Sequence, residues 1–228
     1  MRYLHTLASY VPSIVVSHVV DTPTMQTPCR QTFETCVVFC DVSGFTKLAE
    51  RMQATGKGAE GLKKYLNSYF EQMARIIAKS GGDIFKFAGD AMIVLWPPSD
   101  DPLENRMQRA AAAAIQIQQT IPKMELEQGA LLKVKIGIGV GMVTVLHLGG
   151  VNGHVEYVAV GEPLVQAFEA EHHGSSEMVI ASPEAWRYLE RAGFKRAEKD
   201  DKVDKNTKPE DKDKGPHGDR GDGFLRLT

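Results

Sequence analysis

The sequence predicts an α+β fold of the ferredoxin-like type, in which a βαββαβ core forms one mostly antiparallel sheet. The first observation is an apolar run over residues 34–41 with the composition of a buried strand. The second is a helix over 59–79 whose apolar residues recur at three-and-four spacing. The third is a pair of β runs, 83–87 and 91–96, separated by a Gly-Asp turn typical of a hairpin. This order of elements predicts a sheet with helices covering one face.

The rest of the chain is predicted from the same periodicities and turn signals. Residues 1–33 form an N-terminal extension that contains a short apolar strand at 14–16 and a loop with Pro and Thr. The further elements are a helix at 45–54, a helix at 103–119, a strand pair at 134–141 and 143–146, a strand at 155–160, a helix at 163–172, a strand at 178–180 and a helix at 183–191. We therefore expect the folded domain to span residues 34–194.

A charged stretch follows this domain. Between residues 195 and 223 the composition shifts to Lys, Asp, Glu, Gly and Pro with almost no apolar residues, which predicts a disordered insertion. Residues 224–228 regain apolar character and are predicted to add a final edge strand.

Bulk properties exclude several classes of protein. The chain of 228 residues is 43% hydrophobic and 25% charged, as expected of one globular domain. Its net charge of −2 gives no basic excess for binding nucleic acid. We expect no transmembrane segment, because the apolar runs are of strand length or broken by polar residues, and Met1–His5 lacks the apolar core and cleavage site of a signal peptide. The three cysteines are an odd number without paired metal spacing, which favours free thiols in a reducing, cytoplasmic compartment.

Asp41 ends the first apolar strand and directly precedes a turn into a helix. A carboxylate beside a helix N-terminus places a hard-cation ligand next to free backbone N–H groups, and metal and phosphate can bind there together. The Val42 carbonyl can add a metal ligand. The predicted phosphate-binding segment consists of Ser43, Gly44, Phe45 and Thr46. Because Asp before Ser-Gly is also ordinary turn chemistry, a capped helix start without function is the alternative.

Asp90 follows the tight turn of the predicted hairpin. If the first strand lies beside this hairpin, Asp41 and Asp90 converge on one point. Two carboxylates with open positions around them suit Mg²⁺ or Mn²⁺, because such ions keep waters and substrate phosphates in their shell. A pair of ions held there can activate a hydroxyl and stabilise a leaving pyrophosphate. The sequence therefore predicts a two-metal site for phosphoryl transfer, with Asp41 and Asp90 as its catalytic ligands.

The chain contains two motifs, Phe39-x-Asp41-x-Ser43-Gly44-Phe45-Thr46 and, after the long helix, Gly82-Asp83-x-x-Lys86-Phe87-x-Gly89-Asp90-Ala91. Together these motifs resemble the class III nucleotidyl cyclase domain. The chain most resembles the first catalytic domain of the soluble, bicarbonate-responsive adenylyl cyclases. Three further stretches carry that likeness, namely 86–91 with Trp96, 134–137, and 7–12 leading to Ile14-Val15.

The resemblance implies an adenylate cyclase that converts ATP to cyclic AMP and pyrophosphate, with Asp41 and Asp90 binding the ions. It places Lys135, two residues before a strand glycine, on the triphosphate. It places Lys86 in the purine pocket or in the pseudo-symmetric regulatory pocket, where bicarbonate is the expected anion. From the residues alone, Lys86 and Lys135 are equally well explained as exposed strand lysines.

The sequence departs from the family pattern around Gly161. A homodimeric cyclase carries an Asp or Thr that recognises adenine three residues before this glycine, where this chain has Val158. It carries an Asn four residues after the glycine and a transition-state Arg eight after, where this chain has Val165 and Glu169. A Glu there repels the charge that builds on the migrating phosphoryl group. A partner cyclase domain is therefore expected to supply the missing residues.

Two alternatives remain open. The first is a catalytically inactive cyclase-like domain with a regulatory or dimerisation role, which the absent Asn and Arg favour and the two retained Asp residues oppose. The second is a guanylyl cyclase, which is the weaker hypothesis because Lys86 is not the Glu that reads guanine in the family. Phe168 and Glu169 provide no second cation for a bicarbonate pocket.

Overall fold

The computed structural model describes residues 10–54, 56, 58–121, 132–174, 177–196 and 225–227. Most of the predicted charged insertion lies outside these residues. In chain order the elements are α1 (Ser13–Asp21), β1 (Cys29–Ser43), α2 (Phe45–Ala54), α3 (Gly58–Lys79), β2 (Asp83–Ala88), β3 (Ala91–Trp96), α4 (Leu103–Thr120), β4 (Lys133–Val151), β5 (His154–Val160), α5 (Glu162–His173), β6 (Val179–Ala181), α6 (Pro183–Arg191) and β7 (Leu225–Arg226).

The described strands form one sheet in the order β2-β3-β1-β4-β6-β7, and β5 pairs with β4 off this path. The four strands of the predicted core are antiparallel to their neighbours in the order β4-β1-β3-β2, which confirms the ferredoxin-like arrangement. The short strand β6 adds parallel to β4, as expected of a strand reached through a helical crossover. β7 pairs antiparallel with β6 and lies at the edge.

Helices cover both faces of the sheet, so the expectation of one covered face was wrong. In the middle of β1, Cys36, Val37 and Val38 are consecutive and all buried. Successive residues of a strand point to opposite faces of the sheet, so both faces are covered there. On one face α2, α3, α4 and α6 pack over a large apolar cluster. On the other face α1 and α5 pack over a smaller cluster. Among the described residues, no helix combines the length and apolar character needed to span a bilayer.

The segment predicted as a strand at 14–16 is part of helix α1. The two carboxylate oxygens of Asp83 accept hydrogen bonds from the N–H groups of Ser13 and Ile14, each at 3.0 Å. Ile14 and Val15 are buried in the smaller cluster. The β-branched composition favours a strand locally, but a cap from a residue 70 positions away and the burial of two side chains stabilise the helix.

The strand pair predicted at 134–146 is one continuous strand. β4 is paired with β1 in register from Cys29↔His147 to Ser43↔Lys133, so its glycines do not interrupt it. Asn152 and Gly153 have φ of 54° and 73°, values that suit the tight turn between β4 and β5. The resulting β4–β5 arm extends beyond the central sheet.

The three cysteines are free, as the sequence predicts. Cys36 and Cys40 are fully buried, and burial raises the pKa of the Cys40 thiol to about 12. Such thiols remain protonated at neutral pH, so these two residues belong to the core and not to a reactive site.

Candidate metal and nucleotide site

Asp41 and Asp90 lie at the same end of two neighbouring strands. β1 and β3 are antiparallel and Cys40 is paired with Met92, so the residue after Cys40 lies beside the start of β3. Asp90 is the residue that immediately precedes β3. Gly89 adopts a φ of 67° in the turn that reverses the chain between β2 and β3. The structure thus brings together two carboxylates that are 49 residues apart in the sequence.

The electrostatics of Asp41 reflect this proximity. Its pKa is raised, first by partial burial and then by the negative charges of Glu171 and Asp90. The positive charge of Lys135 and a hydrogen bond from the Val42 N–H act in the opposite direction. A half-buried carboxylate whose nearest charges are mostly negative is stabilised by a bound cation. The residues present therefore fit a divalent metal ion.

Lys135 is the direct partner of Asp41 across the β1–β4 ladder. Directly opposed residues project from the same face, so the ammonium group lies on the side of the sheet that carries the Asp41 carboxylate. Lys135 Nζ forms an ion pair with Glu171 Oε1 at 2.9 Å. Lys135 is therefore not an isolated surface lysine, and its role in binding phosphate stays a prediction.

Glu171 lies beside this candidate site and was not among the residues predicted from the sequence. It lies in the last turns of α5, and only 11% of its side chain is exposed. The sequence carries one signal for it, since Lys135, Gly137 and Gly139 alternate on one face of β4. Two glycines beside a lysine indicate that another backbone approaches closely there, although they do not identify which residue of that backbone meets the lysine.

The close packing of α5 on β4 fixes Glu171. A Cβ on Gly137 would lie 1.9 Å from the Ala167 carbonyl oxygen and 2.5 Å from the Glu171 backbone nitrogen. A Cβ on Gly139 would lie 2.2 Å from the Pro163 carbonyl oxygen. The helix backbone therefore rests directly on the strand, which holds the Glu171 side chain beside Lys135.

The predicted phosphate-binding segment joins β1 to α2. Gly44 has a φ of 107° and its carbonyl accepts from the Leu48 N–H at 3.0 Å, so the first helical turn begins directly after the strand. The N–H groups of a first turn have no partner within the helix, and they are suited to bind an anion. The Phe45 ring packs near Tyr69 and Phe70 and anchors this turn to α3.

Lys86 lies apart from this arrangement. It is exposed on β2 and lines a cavity of about 530 Å³ together with Phe85, Phe87 and Tyr157. Asp41, Asp90 and Lys135 do not line this cavity. The structure therefore places Lys86 in a second region, and the interpretation of Lys86 as a pocket residue stays a prediction.

The positions that depart from the family pattern are exposed. Val158 and Val165 are 39% and 45% exposed, and Glu169 is also exposed. Phe168 packs edge-to-face on Phe39, with ring centroids 4.6 Å apart, yet remains 39% exposed. Val165, Phe168 and Glu169 lie together on α5. Val158 lies on β5 and projects from the other face of the sheet, because its neighbours Tyr157 and Ala159 pack against the smaller cluster under α5.

The number of ligand side chains limits how far the protein alone can coordinate a metal ion. Among the described residues, no three His, Cys, Asp or Glu side chains are placed to hold a metal ion together. A site with two carboxylates is completed by water and substrate phosphates, which is the usual coordination of Mg²⁺ in phosphoryl-transfer enzymes.

Comparison with known proteins identifies the family of this domain. Residues 28–212 match the family model for the adenylate and guanylate cyclase catalytic domain. Adenylate cyclase type 10 of Rattus norvegicus is 28% identical over 194 residues, which is 84% of this chain and 12% of that protein. The Homo sapiens protein of the same name is 28% identical over 190 residues, again 12% of its length. The chain thus spans about 12% of the length of these relatives.

Solved structures support the same fold. The adenylyl cyclase CyaB from P. aeruginosa superimposes with a TM-score of 0.68 at 23% identity, over 88% of this chain and 96% of that chain. With the fold, the two converging carboxylates and the family match in place, the chain belongs to the adenylate and guanylate cyclase catalytic domain family.

Proposed function

We propose that this domain is the metal-binding half of an adenylyl cyclase, which converts ATP to cyclic AMP and pyrophosphate together with a second cyclase domain. The observation that carries the proposal is the meeting of Asp41 and Asp90 at one end of the sheet, beside Lys135 and the first turn of α2. The similarity to adenylate cyclases supports ATP as the substrate.

The residues of the site have distinct roles in this reaction. The carboxylates of Asp41 and Asp90, with the Val42 carbonyl, would hold two Mg²⁺ or Mn²⁺ ions. Those ions would activate the 3′-hydroxyl and neutralise charge on the leaving pyrophosphate. In the reaction a bond forms between the 3′-oxygen and the α-phosphorus, the bond from that phosphorus to the β-phosphate oxygen breaks, and the hydroxyl proton is lost to solvent.

The protein groups around the phosphates supply positive potential without moving. The backbone N–H groups of Gly44, Phe45 and Thr46 lie in the first turn of α2, where the helix dipole favours negative charge. Lys135 adds a full positive charge on the same face as Asp41. These groups orient the triphosphate so that the 3′-hydroxyl and the leaving group are in line.

A partner domain completes the site in this proposal. Val158, Val165 and Glu169 occupy the exposed positions where the family carries its adenine-recognising and transition-state residues. None of these three side chains can donate a hydrogen bond to a developing negative charge. Val165 and Phe168, which are exposed apolar residues of α5, suit contact with a second domain.

Lys86 belongs to a separate part of the proposal. Its ammonium group in the wall of the 530 Å³ cavity is suited to a small anion such as bicarbonate, or to the purine of a nucleotide. Among the described residues that line this cavity, Lys86 is the one cation and Asp83 adds a carboxylate, so an anion would depend on Lys86 for its charge partner.

An inactive regulatory domain is the second candidate, because Glu169 stands where the family has its transition-state Arg. Calorimetry with Mn²⁺ and a non-cyclisable ATP analogue separates the two functions. A domain that retains the metal site binds the metal–nucleotide complex, whereas a purely structural domain does not.

The deciding experiment is a cyclase assay of this chain mixed with a cyclase domain that carries the missing Asp, Asn and Arg. We expect Asp41→Ala and Asp90→Ala each to reduce cyclic AMP formation about 100-fold or more while circular dichroism stays unchanged. The exposed Asp100→Ala is the matched control and should retain activity. Unchanged turnover in either of the first two variants would refute the assignment.

A further inference from the structure

Glu171 lies beside the candidate metal site without being one of its predicted ligands. It forms the 2.9 Å ion pair with Lys135, whose direct partner across the β1–β4 ladder is Asp41. Within the described ranges, the ion pair of this lysine is with Glu171 and not with the carboxylate that faces it. Lys135 therefore lies near two carboxylates, those of Asp41 and Glu171, and forms its ion pair with Glu171.

The arrangement is fixed by the fold. The contact of α5 with Gly137 places the Glu171 backbone directly over β4, two residues along the strand from Lys135. Side-chain exposures of 27% for Lys135 and 11% for Glu171 leave the pair only weakly screened by solvent.

Pairing of Lys135 with Asp41 would hinder metal binding. A lysine that pairs with Asp41 neutralises that carboxylate and occupies oxygen lone pairs that a metal ion needs. A divalent ion would then have to displace an ammonium group before it could bind. Because Glu171 forms an ion pair with Lys135, it competes with Asp41 for the same cation.

We propose that Glu171 is a positioning residue that draws Lys135 away from Asp41 and so keeps the Asp41 carboxylate available to a divalent cation. This inference rests on the proposed function, because it requires that Asp41 and Asp90 bind a cation. Glu171 itself does not need to contact the metal or the nucleotide.

A double-mutant cycle on Mn²⁺ affinity tests the inference without using catalysis. Isothermal titration calorimetry with Mn²⁺ alone would compare the wild-type chain, Glu171→Gln, Lys135→Met and the double variant. Glu162→Gln is the control, because it removes one exposed carboxylate from the first turn of the same helix. Glu171→Met repeats the test with a side chain that cannot accept a hydrogen bond from Lys135. Thermal unfolding of each variant checks that the fold is retained.

We expect Glu171→Gln to weaken Mn²⁺ binding about tenfold, because the released lysine pairs with Asp41. Lys135→Met should then strengthen binding about tenfold in the Glu171→Gln background but only about twofold in the wild-type background, where the lysine is already held. Glu162→Gln should leave the affinity within about twofold of wild type, since its position is remote and solvent-screened.

Three outcomes count against the inference. If Lys135→Met has the same effect in both backgrounds, Glu171 acts only through its own charge and the positioning role is wrong, while the metal site stands. If Glu171→Met binds Mn²⁺ as tightly as wild type, the positioning role is also wrong. If the wild-type chain binds no Mn²⁺, the proposed function and the inference both fail.

Discussion

Gly137 of β4 lies so close under Ala167 of α5 that a Cβ on the glycine would be 1.9 Å from the Ala167 carbonyl oxygen. This contact fixes the height of α5 above the sheet. It also places Glu171, one helical turn further along, beside Lys135. The geometry of the candidate site therefore depends on a glycine that bears no functional group.

Gly137→Ala should destabilise the domain by about 3 kcal/mol or more, because either α5 or β4 must move to admit the methyl group. Urea unfolding measures the loss. Gly193→Ala is the control, since a Cβ there would meet nothing within 4 Å and only its φ of 85° is unfavourable. A loss for Gly137→Ala no greater than that of the control would show that α5 is not seated as described.

Asp41→Asn should stabilise the metal-free domain at pH 7 by about 0.5 kcal/mol, a small effect because solvent screens this partly exposed carboxylate. The pKa of Asp41 is raised in the folded state, so its contribution to stability is present below about pH 3.9 and is lost as the pH rises through the folded-state pKa. The advantage of the variant should therefore vanish near pH 3. Chemical unfolding at both pH values, with Asp100→Asn as the control for charge removal, checks the prediction. An Asn variant less stable than wild type at pH 7 would contradict it.

His147→Leu should make the domain less sensitive to acid. His147 is fully buried, its ring centroid lies 4.7 Å from that of His18, and neither ring nitrogen has a hydrogen-bond partner among the described atoms. Burial, and then His18, lower its pKa, so its contribution to stability is present above about pH 6.5 and is lost as the pH falls through the folded-state pKa. The variant should gain about 1 kcal/mol relative to wild type between about pH 7.5 and about pH 5.5.

Unfolding curves at the two pH values measure this gain for His147→Leu. The exposed His172→Gln serves as the control and should keep the wild-type pH dependence. Equal acid sensitivity of His147→Leu and wild type would show that another group is responsible.

The triple variant Val158→Asp, Val165→Asn and Glu169→Arg should form cyclic AMP without a partner domain. The three positions are exposed, so the polar side chains can be accommodated without disturbing the core. Two identical copies would then each carry the metal-binding half and the half that the wild-type chain lacks. We expect activity at least about tenfold above the wild-type chain, and its loss on adding Asp41→Ala. A stable variant that remains inactive at high protein concentration would argue against this division of roles.

Local patterns predicted the positions of Asp41 and Asp90 in the fold, while their function stays a prediction. Asp41 at a strand end and Asp90 after a tight turn are features of short stretches of sequence, and the structure places both where those patterns indicate. The same local reasoning failed for α1, because a run of Ile and Val favours a strand while the Asp83 cap and tertiary burial stabilise a helix. It also divided β4 at its glycines, although the ladder with β1 keeps that strand continuous.

The sequence by itself determined the order of the core elements, the two carboxylates and the absence of the family's base-recognising and transition-state residues. These are properties of residue identity and of short-range periodicity. Tertiary structure alone decided that helices cover both faces and that Lys135 meets Glu171 while facing Asp41. The physical reason is that the neighbours of a side chain depend on strand register and on how closely a helix approaches the sheet, and both arise from contacts between residues far apart in the chain.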